Sequence, residues 1–490
     1  MHKGMVKAIA AIGILQVLTI VVQIVRAKLV AVVLGPAGLG VVGLIDQLVI
    51  AVGFITSLSL PTVVLRVLPR VYGEPAFGRL YIAFLKGVIV ASVLGSAALV
   101  AALATRPSAF GEVAATYVWE FGIALAGVPL FAVGLLLPNV LAASMRPVGA
   151  AGLSFSITAV GALAAAVGLL WGGLRDIYVA QFIGTAMLLA LALVYFKLKL
   201  HLPFYDRSAS LVREIRERPD IIPNAGAVYA SLVASAVALL VVRYVTVHSL
   251  GAEAGGQLQA ILSMVLGVGA VMVAMASRYI GPLLNRPSSL EEKFVLFDLF
   301  RRRQLMMLIA VAVPLVLLAK LALTIMFSSK FTAAAPWLPA FLVWQLIVIQ
   351  TNVQLQLLFA LDELWIVTVK AVAGCVVSAL LCVALIPRFG MTGGATAMIA
   401  GALVTLWIGS ERLRRNGYVV SRSSLLLGGY AAAVLLAAPY AMQSALWNSI
   451  PLKIAVCILL VGGLWPFLEV DEKAMFKRLF GRFLLRRPAG

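Results

Sequence analysis

The stretch Arg26-Ala27-Lys28-Leu29-Val30-Ala31-Val32-Val33-Leu34-Gly35-Pro36-Ala37-Gly38-Leu39-Gly40-Val41-Val42-Gly43-Leu44-Ile45-Asp46 reads as two apolar helices joined by a tight glycine-rich turn. Arg26 precedes Gly35 by nine residues and Asp46 follows Gly38 by eight. At about 1.5 Å per residue both charges therefore lie roughly 12–13 Å from the same turn. Ionisable groups at that depth in apolar helices are costly, and they face a bundle interior or a wet cavity when they are kept.

The surrounding composition says what these helices cross. Of 490 residues, 63% are hydrophobic and 12% charged, and the mean hydropathy is +1.07. A soluble fold has no way to cover so much apolar surface. The apolar runs are mostly 20 or more residues long, the length that crosses the hydrocarbon core as helix, which predicts an all-α polytopic membrane protein. The net charge of +20 follows topology and leaves no nucleic-acid face. With both termini in the cytoplasm, about 29 of the 39 Lys and Arg fall in cytoplasmic loops and tails, as the positive-inside rule requires. Cys375, Cys382 and Cys457 sit inside apolar runs and read as small core residues. His2, His201 and His248 are scattered, so neither a metal site nor any other cofactor is expected. Lys3 and Lys7 precede a long apolar run that leads into further membrane sequence, which reads as an uncleaved first helix.

Fourteen helices are expected, from 8–34 and 39–65 through 365–386 and 391–411 to 424–443 and 451–468. They divide into an N-terminal six-helix bundle (1–200), a cytoplasmic linker (201–222), a C-terminal six-helix bundle (223–416), two additional helices (417–470) and a cytoplasmic tail (471–490). The linker, with Arg207, Arg213, Arg216 and Arg218 beside Leu211 and Ile215, reads equally as a membrane-surface helix or a solvated connection. Ser289-Leu290-Glu291-Glu292 carries a capping-box spacing that predicts a helix start. In the tail, Phe476, Leu479, Phe480, Phe483 and Leu484 recur at helical spacing among Lys and Arg, a pattern suited to anionic headgroups.

The opening hairpin has an echo. Arg243 is followed by Leu250-Gly251-Ala252-Glu253-Ala254-Gly255-Gly256, with Gly35 aligned to Gly251 and Gly40 to Gly256. Arg243 lies eight residues before its turn, so the two arginines have comparable depths, one in each half. Transporters are often two related helix bundles around a substrate site near the midplane. The expectation is therefore two pseudo-symmetric six-helix bundles around a central cavity plus two extra C-terminal helices. The candidate substrate-binding residues are Arg26, Lys28 and Arg243, joined by Gln345, Asn352 and Gln356, which share one face of the helix at 337–361 and suit hydroxyl-rich sugars. Arg26 and Lys28 are about 200° apart around their helix and cannot face the same way. Arg26 is either an ion pair with Asp46 or a direct ligand contact, and Asp46 either a pairing or a coupling residue. Gln350 and Gln354 lie on another face, and amides at any of these positions also serve as helix-packing glue. Lys320, Lys370 and Glu120 lie close enough to helix ends to snorkel.

The opening helix pair, Ser329-Lys330-Phe331-Thr332-Ala333-Ala334 and Trp344-Gln345 together resemble the O-antigen and enterobacterial common antigen (lipid III) flippases of the multidrug/oligosaccharidyl-lipid/polysaccharide exporter superfamily. The resemblance covers residues 1 to about 416. It departs where relatives carry a Gly-Asp pair soon after Trp-Gln and this chain has Leu346-Ile347-Val348-Ile349. It implies a flippase, not an enzyme, of the bacterial inner membrane, serving O-antigen or other surface polysaccharide synthesis. Its implied partners are undecaprenyl-diphosphate-linked oligosaccharide, membrane lipids including anionic headgroups, and polysaccharide-assembly proteins. The alternatives are a multidrug-type small-molecule exporter of the same superfamily, or a polytopic polysaccharide polymerase or ligase, which would need a large periplasmic loop.

Overall fold

The computed structural model describes residues 2–203, 206, 209–217, 221–276, 280–284, 289–441, 449–467 and 473. The tail pattern and the linker arginines Arg207 and Arg218 lie outside the described residues. Those described form helices and short connections, because in hydrocarbon every backbone N–H and C=O must be satisfied within the segment. Two continuous-looking helices are each broken by a glycine, at Gly35 (φ 68°, ψ −170°) and Gly390 (φ 59°, ψ −141°). With those breaks counted, and the bent pair Leu290–Leu317 and Ala319–Met326 taken as one span, the described residues contain fourteen apolar segments. They are α1 (2–34), α2 (36–56), α3 (Pro75–Thr105), α4 (Val118–Ala143), α5 (Pro147–Trp171), α6 (Leu174–Leu200), α7 (Ile221–Leu250), α8 (Ala252–Met275), α9 (the bent pair), α10 (Leu338–Ala360), α11 (364–389), α12 (391–415), α13 (Arg422–Ala441) and α14 (Ile450–Gly462).

The protein is a multi-pass, all-α bundle of two related halves with an added pair. The repeat is deeper than the sequence pattern indicated. Gly35 and Gly251 (φ 88°, ψ 166°) turn α1 into α2 and α7 into α8 in a backbone region essentially reserved for glycine. Gly173 (φ 93°) and Gly390 perform the same turn between α5 and α6 and between α11 and α12. Pro36 follows its turn at the first helical position, where a missing N–H costs nothing.

Several boundaries differ from expectation. The second helix ends at Thr56, where Leu58 and Ser59 take φ of 51°, and a separate helix, Leu60–Val67, resumes with Pro61 in its first turn. Apolarity continued through this break, so hydropathy did not register it. α9 bends by 85° after Leu317, one turn beyond Pro314. In the linker, Leu211–Glu217 forms a short helix packed on α3, with Leu211 over Gly87, while Lys86 Nζ donates to the carbonyls of Asp206 and Ala209. The capping box is present: Glu292 N–H donates to Ser289 Oγ and the Glu292 carboxylate accepts from Ser289 N–H.

The added pair docks on the C-terminal half. α13 packs on α9 and α10 and α14 on α9, Asp298 accepts from Tyr418 Oη (2.9 Å) and Ser424 Oγ (3.1 Å), and Tyr430 Oη donates to Leu460 O (2.6 Å). The two halves meet along α2, which runs against α7 and α8. At one end the aligned glycines touch: a Cβ on Gly40 would sit 2.6 Å from Gly256 N, and one on Gly256 would sit 3.0 Å from Pro36 Cα. At the other end Tyr229 Oη lies 3.5 Å from Ile55 O.

Candidate functional site

Most of the predicted polar residues fall in three places. The first is a cavity of about 480 Å³ inside the N-terminal half, walled by α1, α2, α4, α5 and α6. Arg26 and Asp46 reach it from opposite limbs of the opening hairpin and pair at 2.9 Å, with side chains 24% and 32% exposed. Matched depth below one turn brings them together. Tyr178 Oη stands 3.5 Å from Asp46 Oδ1 and 3.4 Å from Val42 O. Arg26 Nε and Nη2 are buried and have no hydrogen-bond partner among the described residues. Gln23, Ser154, Thr158, Gln181 and Thr185 add neutral polar groups to the lining, and Phe131 and Phe182 add aromatic faces. An arginine with unspent donors in a shielded cavity of hydroxyls and amides is equipped to receive an oxyanion bearing hydroxyl groups.

The second place is the seam between the halves. Arg243, 6% exposed, donates through Nε to Gln259 Oε1 (2.9 Å) and through Nη1 to Gln47 Oε1 (2.8 Å) and Leu239 O (3.3 Å). Gln47 in turn donates to Ala236 O (2.9 Å), so one side chain of the N-terminal half is held at both ends by α7. Asp46 and Gln47 are consecutive on α2 and so point about 100° apart. The first holds Arg26 in the N-half cavity and the second holds Arg243 at the seam. The expected matching depths do not bring the two arginines to one shared space: they are neighbours through adjacent residues of α2, Arg26 lining the N-half cavity and Arg243 engaged at the seam.

The third place is a cavity of about 440 Å³ inside the C-terminal half, between α7, α8, α10, α11 and α12. Gln345 and Asn352 line it. Gln356, on the same face of α10 but further along, lies instead against Gly281, where a Cβ would approach its Oε1 to 2.7 Å. Lys370 corrects the sequence reading: it does not snorkel, being 3% exposed and lining this cavity, with Nζ donating to Thr351 O (3.3 Å) and Gln354 Oε1 (3.2 Å). Its distance from the helix end was legible; its inward azimuth was not. Cys375 likewise lines this cavity and is not packed in a core. Lys28 faces away from Arg26, as its position around the helix requires, and donates to Ile325 O (2.7 Å) near the end of the bent α9 in the other half. Tyr178, Gln259 and Lys370 are polar residues at these places that sequence reasoning did not select. Among the described residues no group of His, Cys, Asp or Glu is arranged to hold a metal ion.

No family model matches the chain, and no curated protein sequence does. Solved structures match it over most of its length. One is the lipid II flippase MurJ in an inward closed conformation, to which this chain is similar with a TM-score of 0.68 at 13% identity over 97% of this chain and 99% of that one. Two others are a MATE-family multidrug resistance transporter of the MOP superfamily in inward-facing and outward-facing conformations. Their TM-scores are 0.59 and 0.58, both at 15% identity over 84% of this chain, covering 98% and 96% of theirs. The fold is that of these transporters. At such identities the likeness concerns architecture; the O-antigen and lipid III family suggested by the motifs is narrower than it reaches.

Proposed function

We propose that this protein is a flippase that moves undecaprenyl-diphosphate-linked oligosaccharide from the cytoplasmic to the periplasmic leaflet of the bacterial inner membrane by alternating access, for O-antigen or other surface polysaccharide synthesis. The observation that carries the reading is Arg26: an intramembrane guanidinium with two unspent buried donors, in a cavity whose lining also brings Asp46, hydroxyls, amides and aromatic faces among its aliphatic side chains. A diphosphate supplies the oxyanion, the attached sugars suit the neutral polar groups, and the polyprenyl tail stays in lipid. Arg243 is the second cation, released from Gln47 when the halves separate and then open to the headgroup. Lys28, Gln345, Asn352 and Gln356 remain candidate contacts along the path, and Asp46 holds Arg26 until the diphosphate displaces it. With both termini cytoplasmic, the Gly35 and Gly251 turns lie at the outer face, so the Gly40–Gly256 contact is the outer closure. Outward transfer of about two negative charges is favoured by roughly 2.3 kcal/mol per charge per 100 mV when the interior is negative. The likeness of the fold to a lipid II flippase over 97% of this chain supports a lipid-linked cargo.

The multidrug-type exporter is the second reading, favoured by the likeness to MATE transporters. The cation-lined cavities speak against a cationic cargo. The test is glycolipid display in cells carrying Arg26→Ala or Arg243→Ala, with membrane expression checked alongside. Translocation should be lost in each and partly retained in Arg26→Lys and Arg243→Lys. Normal display by both Ala variants would refute the headgroup reading, and export of cationic dyes abolished by the same variants would favour the exporter.

A further inference from the structure

The C-half cavity differs from its counterpart in one electrostatic respect. In the N-half cavity the cation stands beside a carboxylate, Arg26 against Asp46. In the C-half cavity Lys370 is 3% exposed, and the described lining contains no Asp or Glu. Protonated, its amine has three protons to donate. Two go to neutral acceptors at long range, Thr351 O at 3.3 Å and Gln354 Oε1 at 3.2 Å. Gln354 has its other end fixed to α12, donating to Leu406 O (3.3 Å) and Ser410 Oγ (3.1 Å), so the lysine is held in place by a side chain that is itself held. A buried amine with no opposite charge keeps its proton only at a high cost, which a bound anion would offset. A second unspent group lies in the same lining: Gln345, 2% exposed, whose Oε1 is buried without a partner. The cavity thus offers an amine with no opposite charge beside it and an orphaned acceptor, in a space of about 440 Å³.

We propose that the C-half cavity is an anion-binding site centred on Lys370, and that its ligand is an oxyanion carrying a hydroxyl group, such as hydrogen phosphate or a phosphate monoester. The anionic oxygen takes the third ammonium proton and the ligand hydroxyl donates to Gln345. The site is separate from the Arg26 cavity and does not depend on the cargo assigned above. The same chemistry is available from free phosphate or from the phosphate of a lipid headgroup.

Cys375 lines the same cavity and provides a native reporter. In full-length protein with Cys382→Ala and Cys457→Ala, Cys375 is modified at pH 7 with an anionic sulfonatoethyl and a cationic trimethylammonioethyl methanethiosulfonate. Each rate is divided by that reagent's rate with 2-mercaptoethanol. The normalised anionic rate should exceed the cationic one by about tenfold or more, a modest factor for a poorly screened charge in the same cavity. Lys370→Gln should bring the two rates together and Lys370→Arg should keep them apart. Inorganic phosphate should slow the anionic reagent more than acetate does. Vesicles containing phosphatidate, compared with phosphatidylcholine alone, then distinguish a lipid phosphate from a free one. Equal normalised rates with Lys370 in place would overturn the proposal whether or not the variants fold. Failure of both reagents to reach Cys375 would overturn it too, since a cavity closed to them is closed to a phosphate monoester.

Discussion

The contact between Gly40 and Gly256 closes the two halves at one end with backbone against backbone, and a single methyl group should open it. In Gly256→Ala the new Cβ would stand 3.0 Å from Pro36 Cα and closer still to the Pro36 carbonyl. A flexible side chain would swing aside, but these atoms belong to the first turn of α2 and move only with that helix. Overpacking of this kind costs about 1–3 kcal/mol. If the cost falls on the docked state alone, the equilibrium shifts by about 5- to 150-fold toward a state in which this end is open. The measurement is a distance distribution between spin labels at Ser108→Cys and Ser329→Cys, exposed positions in the N- and C-terminal halves, with the three native cysteines replaced. Gly256→Ala should move population to longer distances. Gly267→Ala, on the same helix with nothing within 4 Å of the added Cβ, should leave the distribution in place. Identical distributions for Gly256→Ala and the parent, with an unchanged melting temperature, would show that this contact does not hold the halves together.

Three further expectations follow from the polar network. Gln47→Leu removes the acceptor that Arg243 uses across the seam and should cost about 1.5–3 kcal/mol, the range for a hydrogen bond to a charged group, read as a lowered melting temperature in detergent. Arg26→Gln and Asp46→Asn should each destabilise more than the double variant implies, with a coupling of about 0.5–3 kcal/mol in a double-mutant cycle; additive effects would deny the pair any energetic role. Glu363 accepts from Arg412 Nε (2.9 Å) and Asn416 Nδ2 (3.3 Å), which holds its carboxyl below the usual 4.5. Its contribution is therefore complete above pH 4.5 and is lost as the pH falls through the depressed value. Glu363→Gln should flatten the acid limb of a melting-temperature profile below pH 4.5 and leave the profile's shape near neutrality alone.

The amino-acid sequence by itself determined that the chain crosses the membrane as helices, where most crossings begin and end, and that Arg26 and Asp46 share a depth. Each follows from a one-dimensional quantity: apolar length, the rise per residue, or a glycine at a turn that needs φ above zero. The capping box at Ser289 is of the same kind, since both partners lie within one turn of chain. Tertiary structure alone decided azimuth. Helices apolar on every side carry no stripe that separates a lipid face from a core face, so nothing in the spacing told which way Lys370 points or that Gln354 would hold it. It likewise decided that Arg243 is engaged by Gln47, because that bond joins residues 196 positions apart and exists only once α2 lies against α7. The opening hairpin shows both sides: its turn and its paired charges were readable along the chain, while the division between Asp46 facing a cavity and Gln47 facing a seam depends on what packs around α2.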